Sequence, residues 1–284
     1  MEAVEKKYPK WEEITIDVGA TSPFRVLHMS DTHLTDADDR DDERKVKLAE
    51  ERQGYFRHAD LLYEEASAFS KREGMPIFHT GDLIDFVSYK NLDRARAFAE
   101  ENDLFMTAGN HEFSLYVGEA FEDAAYREQS LDKVQACFKN NIRFSKREIC
   151  GVNFVALDNS YYRVDRWQLD ALKEVVAEGK PVVLLVHVPM HCDSLYEYEM
   201  VERKATNAGL MATPEELMKG YNDYRYRQQK ADEVTYEAHE YICNEPSIKA
   251  ILTGHLHRFR QFAINDRLTQ YMTGCTTLCV VNFR

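Results

Sequence analysis

Pro76-Ile77-Phe78-His79-Thr80 runs directly into Gly81-Asp82-Leu83-Ile84-Asp85, and the fold is decided at that junction. The first five residues read as a short buried strand. A glycine and two carboxylates placed directly after such a strand are poor core material. The backbone turns at a residue without a Cβ, and Asp82 is presented where the strand ends. In layered α/β proteins, ligands collect at the carboxyl ends of strands. Asp82 is therefore expected to hold two metal ions at once, with other motifs completing the pair.

Working outward, the same unit recurs. Phe24 to Ser30 reads as a central strand ending at Asp31-Thr32-His33, and Trp11 to Val18 as an edge strand before it. Asp103 to Ala108 is a short strand ending at Gly109-Asn110-His111-Glu112. Val182 to Val186 is the most apolar run and ends at His187, while Ile248 to Thr253 ends at Gly254-His255-Leu256-His257. Between these lie helical spacings at Lys45 to Arg72, Leu92 to Glu101, Glu119 to Phe138 and Asp165 to Ala177. Ile142 to Ile149 and Val152 to Leu157 read as a hairpin about Cys150-Gly151. The segments Phe259 to Ile264, Leu268 to Thr273 and Thr277 to Phe283 read as antiparallel strands. Residues 191–244, rich in tyrosine and charge, read as an inserted helical excursion.

Five apolar runs thus end in metal-ligand residue types. A single histidine after a strand is ordinarily a hydrogen-bonded turn residue. Five such endings are hard to explain without a shared site, and a parallel sheet brings them to one edge. Imidazoles, carboxylates and one amide oxygen, without thiolate, suit Mn, Fe or Zn. Asp-x-His and His-x-His are read as extended pairs whose side chains point the same way, each clasping a metal. Two clasps and a shared carboxylate make a binuclear centre, which suits in-line phosphoryl displacement.

In this order the motifs resemble the calcineurin-like metallophosphoesterase superfamily, whose pattern is D-x-H, G-D-x-x-D, G-N-H-[DE], H and G-H-x-H. The likeness covers residues 31–257. It implies a four-layer α-β-β-α sandwich of two mixed sheets flanked by helices, an α/β fold. Here the helical insertion precedes the last metal-binding motif. It implies that Asp31, His33, Asp82 and His257 hold one metal, and that Asp82, Asn110, His187 and His255 hold the other. A bridging hydroxide would be the nucleophile. His111 would assist the leaving group, and Asp85 would orient His111 without touching metal. Between His187 and His191, the residue directly after the strand is favoured as ligand, because Pro189 has broken the strand before His191. His191 is expected to line the cleft or face solvent, and His28 and His79 to be structural.

Departures from family patterns narrow the substrate. Phe86 and Val87 follow Asp85, so the phosphate-binding arginine of the protein phosphatases is missing there. No tyrosine stands at position 85, as it does in purple acid phosphatases. Leu157-Asp158-Asn159 with Asp165 to Leu172 is similar to bacterial phosphoesterases related to cyclic-nucleotide phosphodiesterases and acid phosphatases. The expected activity is hydrolysis of small phosphomonoesters or phosphodiesters. A nuclease, a phosphoprotein phosphatase and a non-catalytic scaffold are the alternatives. Tyr221 to Arg227 offers stacking faces and guanidinium groups to a substrate.

Composition bounds the rest. The chain has 284 residues, 44 % hydrophobic and 30 % charged, with net charge −13. That fits a globular α/β chain, read as a single domain over residues 1–284 with 191–244 as a lid or substrate-selecting insertion. The acidic balance disfavours polymeric nucleic acid, though bound metals reverse the local sign for a small ester. No run spans a membrane, and Met1 to Lys7 carry no apolar leader. The six cysteines form no C-x-x-C pair, which points to reduced thiols and a cytoplasmic setting.

Overall fold

The computed structural model of the chain describes residues 8–284. The leader-free reading of Met1 to Lys7 therefore lies outside the described residues. The strands are β1 (Lys10–Ile16), β2 (Phe24–Met29), β3 (Ile77–His79), β4 (Leu104–Met106), β5 (Phe144–Ile149), β6 (Val152–Leu157), β7 (Val182–Leu185), β8 (Ile248–Thr253), β9 (Arg260–Ala263), β10 (Thr269–Met272) and β11 (Thr277–Phe283). They form a five-stranded sheet, β1-β11-β2-β3-β4, and a six-stranded sheet, β5-β6-β7-β8-β10-β9. Both are mixed. β2, β3 and β4 are mutually parallel, as are β6, β7, β8 and β10, while β11 runs antiparallel to β2 and β5 to β6.

The two sheets pack face to face, as strand periodicity dictates. In β7, Val183 and Leu185 point inward to meet Phe78, Phe154 and Phe283, while Val182 and Leu184 point outward toward helices. In β11, Cys279 and Val281 face inward and Leu278 and Val280 outward. All are nearly or fully inaccessible to water, and each buried aliphatic side chain contributes about 1.5–3 kcal/mol. Helices α2 (Ala59–Glu73) and α3 (Tyr89–Glu101) cover the first sheet with Leu62, Ala66, Ala95 and Phe98. Helices α6 (Arg166–Val176) and α9 (Glu233–Asn244) cover the second with Leu169, Leu172, Ala238 and Ile242. The result is the α-β-β-α sandwich. No helix among the described residues is long and apolar enough to cross a membrane.

Some elements differ from the sequence reading. The helix expected over Lys45 to Arg72 is two, α1 (Glu43–Gln53) and α2, broken at Gly54. The break turns Phe56 inward onto His33, with ring centroids 3.9 Å apart. Glu119 to Phe138 holds only α4 (Ala124–Glu128) and α5 (Leu131–Gln135), because the chain before Ala124 loops back to the site. The last three strands do not form one antiparallel set. β9 and β10 pair antiparallel, but β11 crosses to the other sheet and lies parallel to β1. The excursion carries α7 (Asp193–Glu197), a π-turn at Tyr198–Glu202, a 3₁₀ turn at Glu215–Met218, α8 (Asp223–Gln229) and α9. It leaves after β7 and returns into β8, which are neighbours in the sheet.

Candidate metal centre

The carboxyl ends of β2, β3, β4, β7 and β8 bring Asp31, His33, Asp82, Asn110, His187, His255 and His257 together. Asp31, His33, Asp82 and His257 offer ligand atoms within 4.8 Å of one another, as do Asp82, His187 and His255. Asn110 joins the second group, its Oδ1 3.2 Å from His187 Nε2. Asp82 alone belongs to both. Its Oδ1 accepts from the His111 backbone N–H at 2.8 Å, which leaves Oδ2 for the site, 3.2 Å from His187 Nε2 and 3.6 Å from His33 Nε2.

The donor chemistry fits cations. His33 Nδ1 donates to Asp85 Oδ1 at 2.8 Å, and His187 Nδ1 to the Thr80 carbonyl at 2.7 Å. His255 Nε2 lies 2.7 Å from the Tyr162 hydroxyl. Each ring thus spends one nitrogen on a fixed partner and turns the other inward. Inside, His33 Nε2 and His257 Nε2 stand 3.1 Å apart, and His187 Nε2 and His255 Nδ1 3.2 Å apart. Such facing lone pairs need a proton or a metal ion between them.

The backbone explains why these side chains converge, and corrects one expectation. Asp31, His33, Asp82, His255 and His257 are not extended: their φ values are 54°, 51°, 58°, 68° and 55°. This left-handed region costs an L-residue about 1–2 kcal/mol. The strain is held by hydrogen bonds between loops. Asp31 N donates to Gly81 O at 3.0 Å, His33 N to Asp82 O at 2.9 Å, and His255 N to the Asp31 carboxylate at 3.0 Å. Gly109 and Gly254 are needed for close approach. A Cβ on Gly109 would meet the Asp82 carboxyl carbon at 2.8 Å, and one on Gly254 would meet Asp31 Oδ2 at 2.7 Å.

His111 lies beside the centre. Its Nδ1 donates to the Asp85 carbonyl at 2.7 Å and lies 3.1 Å from Asp85 Oδ1, so Nε2 is the nitrogen left for the cleft. Burial opposes its charge, but Asp82 and Asp85 outweigh that and push it up to about 10. Asp85 is fully buried and also receives Arg52 Nε at 2.6 Å. Its carboxylate therefore serves His33 and His111 together, where the sequence assigned it to His111 alone. Burial works against the Asp82 charge, yet His187 and His111 hold that carboxyl well below its usual range.

Several supporting residues were missed from sequence. Glu112, fully buried, accepts from the amides of Asp82, Leu83 and Gly109 at 2.7, 2.7 and 2.6 Å. Burial and the Asp82 charge push its carboxyl up to about 8, and the amide bonds work against that push. A carboxylate in a short glycine-bearing turn was the available signal. Asn159 Oδ1 accepts from His187 N and Val188 N, each at 3.0 Å. Tyr162 and Arg52 had no local signal. His191 is neither in the cleft nor solvated. It is buried, with Nε2 unpartnered, beside His239. His28 and His79 are structural, bonded at 3.0 Å to Thr80 and Thr32 respectively.

A cleft of about 390 Å³ opens onto Asp82, Asn110, His111, His255 and His257, and Arg203, Ala205, Asn207, Gly209 and Arg225 of the insertion help to wall it. Arg225 thus reaches the cleft, whereas Tyr221 is buried, its hydroxyl accepting from Ala208 N at 2.8 Å.

A comparison with curated proteins finds no match. Among solved structures, the chain is similar to a dimetal phosphatase from Danio rerio, with 13 % identity, 89 % of this chain and 88 % of that one covered, and TM-score 0.53. It also matches a 5′-nucleotidase from Candida albicans at 13 % identity and TM-score 0.44, covering 96 % of this chain but 48 % of that longer one. A family profile described as calcineurin-like phosphoesterase matches residues 24–259, most of the chain and all of the strand-end motifs. This chain belongs to the calcineurin-like phosphoesterase family, whose members hydrolyse phosphoesters with bound metal.

Proposed function

We propose that this protein hydrolyses small phosphoric esters at a binuclear centre, to which Asp82 would contribute in both metal sites. The observation that carries this reading is the membership of Asp82 in both ligand groups. Asp31, His33, Asp82 and His257 would hold one ion, and Asp82, Asn110, His187 and His255 the other. Mn, Fe or Zn suit these donors. When bound, such a pair supplies an activated water and charge stabilisation for in-line displacement.

The chain's own residues do the remainder. His111, with Nδ1 committed to Asp85, presents Nε2–H to the leaving oxygen and protonates it. Asp85 fixes the tautomer of both His111 and His33. The segment 191–244 acts as the substrate-selecting wall of the domain. A cleft of about 390 Å³ accommodates a small ester rather than a polymer. The six free cysteines accord with a reducing, cytoplasmic setting.

The test is metal analysis of protein purified without chelator, with Mn²⁺-dependent turnover of p-nitrophenyl phosphate and bis-p-nitrophenyl phosphate. About two metal ions per chain with turnover of either ester is the expected result. Absence of both metal and turnover overturns it.

A further inference from the structure

The metal-facing cleft does not end at the ligands. A second cleft of about 580 Å³ continues from it, and Arg203, Leu256, His257 and Arg258 line both. The chain carries net charge −13, yet Lys10, Arg203, Arg258 and Arg260 line this second cleft against one carboxylate, Glu12. The cations are built in rather than incidental. Glu199, only 3 % exposed, sits in the π-turn Tyr198–Glu202. It accepts from Arg258 Nη1, and its Oε2 lies 3.5 Å from Arg203 Nε. One buried carboxylate therefore fixes two guanidinium groups at the junction of the clefts. π-turns of this kind recur at functional sites. Arg260 rests on the Tyr198 ring at 5.7 Å, and Arg225 donates to the Gln228 amide oxygen at 2.6 Å. Both of those partners are uncharged, so neither guanidinium is neutralised by them.

We propose that this second cleft is a subsite for a second phosphate group on the substrate. The preferred ester is then a small molecule carrying one phosphate at the metal centre and another against Arg258, Arg260 and Lys10. This rests on the hydrolytic reading above and names its substrate class. A dianionic phosphate matches the forked donors of arginine, and several cations around one cleft favour it over a singly charged group. Lys10 and Arg260 line the second cleft but not the metal-facing one, so the centre still takes the first phosphate while they take the second.

The experiment is equilibrium binding of adenosine 3′,5′-bisphosphate and of adenosine 5′-monophosphate to the full chain by calorimetry, with and without Mn²⁺. The bisphosphate is expected to bind roughly 10–100-fold more tightly, the scale of one or two charge-assisted contacts. Arg260→Gln and Lys10→Gln, both at exposed positions, should each shrink that ratio several-fold. Equal affinity for the two nucleotides, or variants that leave the ratio unchanged, overturns the proposal. Saturable binding of inorganic sulfate without any bisphosphate advantage also overturns it, by assigning the cleft to a free anion. Turnover of p-nitrophenyl phosphate, run alongside, reports separately on hydrolysis: its absence strikes the catalytic reading, while the binding ratio still decides the subsite.

Discussion

His111 and Asp85 touch each other, yet their replacement should have different consequences. His111 reaches the cleft through a nitrogen that no metal-ligand group needs. His111→Ala is expected to lower kcat by about 10²–10⁴-fold with metal content unchanged, and a loss of metal in that variant would refute its role. Asp85 accepts from His33 as well. Asp85→Asn should therefore slow turnover and also weaken one metal by about 10–100-fold, the usual effect of removing a carboxylate behind a ligand histidine. Competitive metal titration separates the two. Gly109→Ala forces a methyl group against the Asp82 carboxyl, which has no room to move. The expected cost is about 1–3 kcal/mol, visible as a lowered melting temperature.

At the scale of elements, strands deliver the candidate ligands and their neighbours pin them. Asn159, just past β6, grips the chain after β7 through Oδ1 and by donating Nδ2 to Val188 O at 2.7 Å. Asn159→Ala leaves buried backbone groups without partners, at about 1–3 kcal/mol. Denaturant unfolding should show that loss, together with weakened metal at His187. A variant as stable as the parent would mean that β7 holds His187 unaided. The break between α1 and α2 follows the same logic. Helical spacing ran through Gly54 in the sequence, but Phe56 is held against His33 and Arg52 against Asp85. Tertiary contact outweighed local propensity.

For the whole molecule, metal held at the proposed centre would couple to folding. Without metal, His187 is pulled down by burial but raised more strongly by Asp82, to about 9 against an ordinary 6.5. A raised imidazole stabilises the metal-free fold fully below pH 6.5, and that contribution is lost as pH climbs toward 9. The chelated protein should therefore melt at lower temperature near pH 9 than near pH 6.5, with metal restoring more stability at the higher pH. Thermal melts with and without EDTA at both pH values test this. A chelated protein that melts higher at pH 9 would contradict the assigned proton. Metal uptake near neutrality should also release protons, since His187 must give one up to become a ligand.

Short apolar runs that end in Asp, Asn and His made the layered fold legible, together with seven candidate ligands that the fold brings to one edge. Short apolar runs specify strands through burial, and a polar motif after each run has nowhere to lie but the strand end. Local pattern cannot report what approaches from elsewhere in the chain. The left-handed turns at the ligands, the double duty of Asp85, Glu112 beneath Gly81-Asp82, Tyr162 behind His255 and the crossing of β11 to the other sheet were all decided by contacts between distant segments. The opening Gly81-Asp82 junction shows the division. Its carboxylate was legible as a candidate ligand, but only the fold, by committing Oδ1 to the His111 amide, left Oδ2 to face both groups.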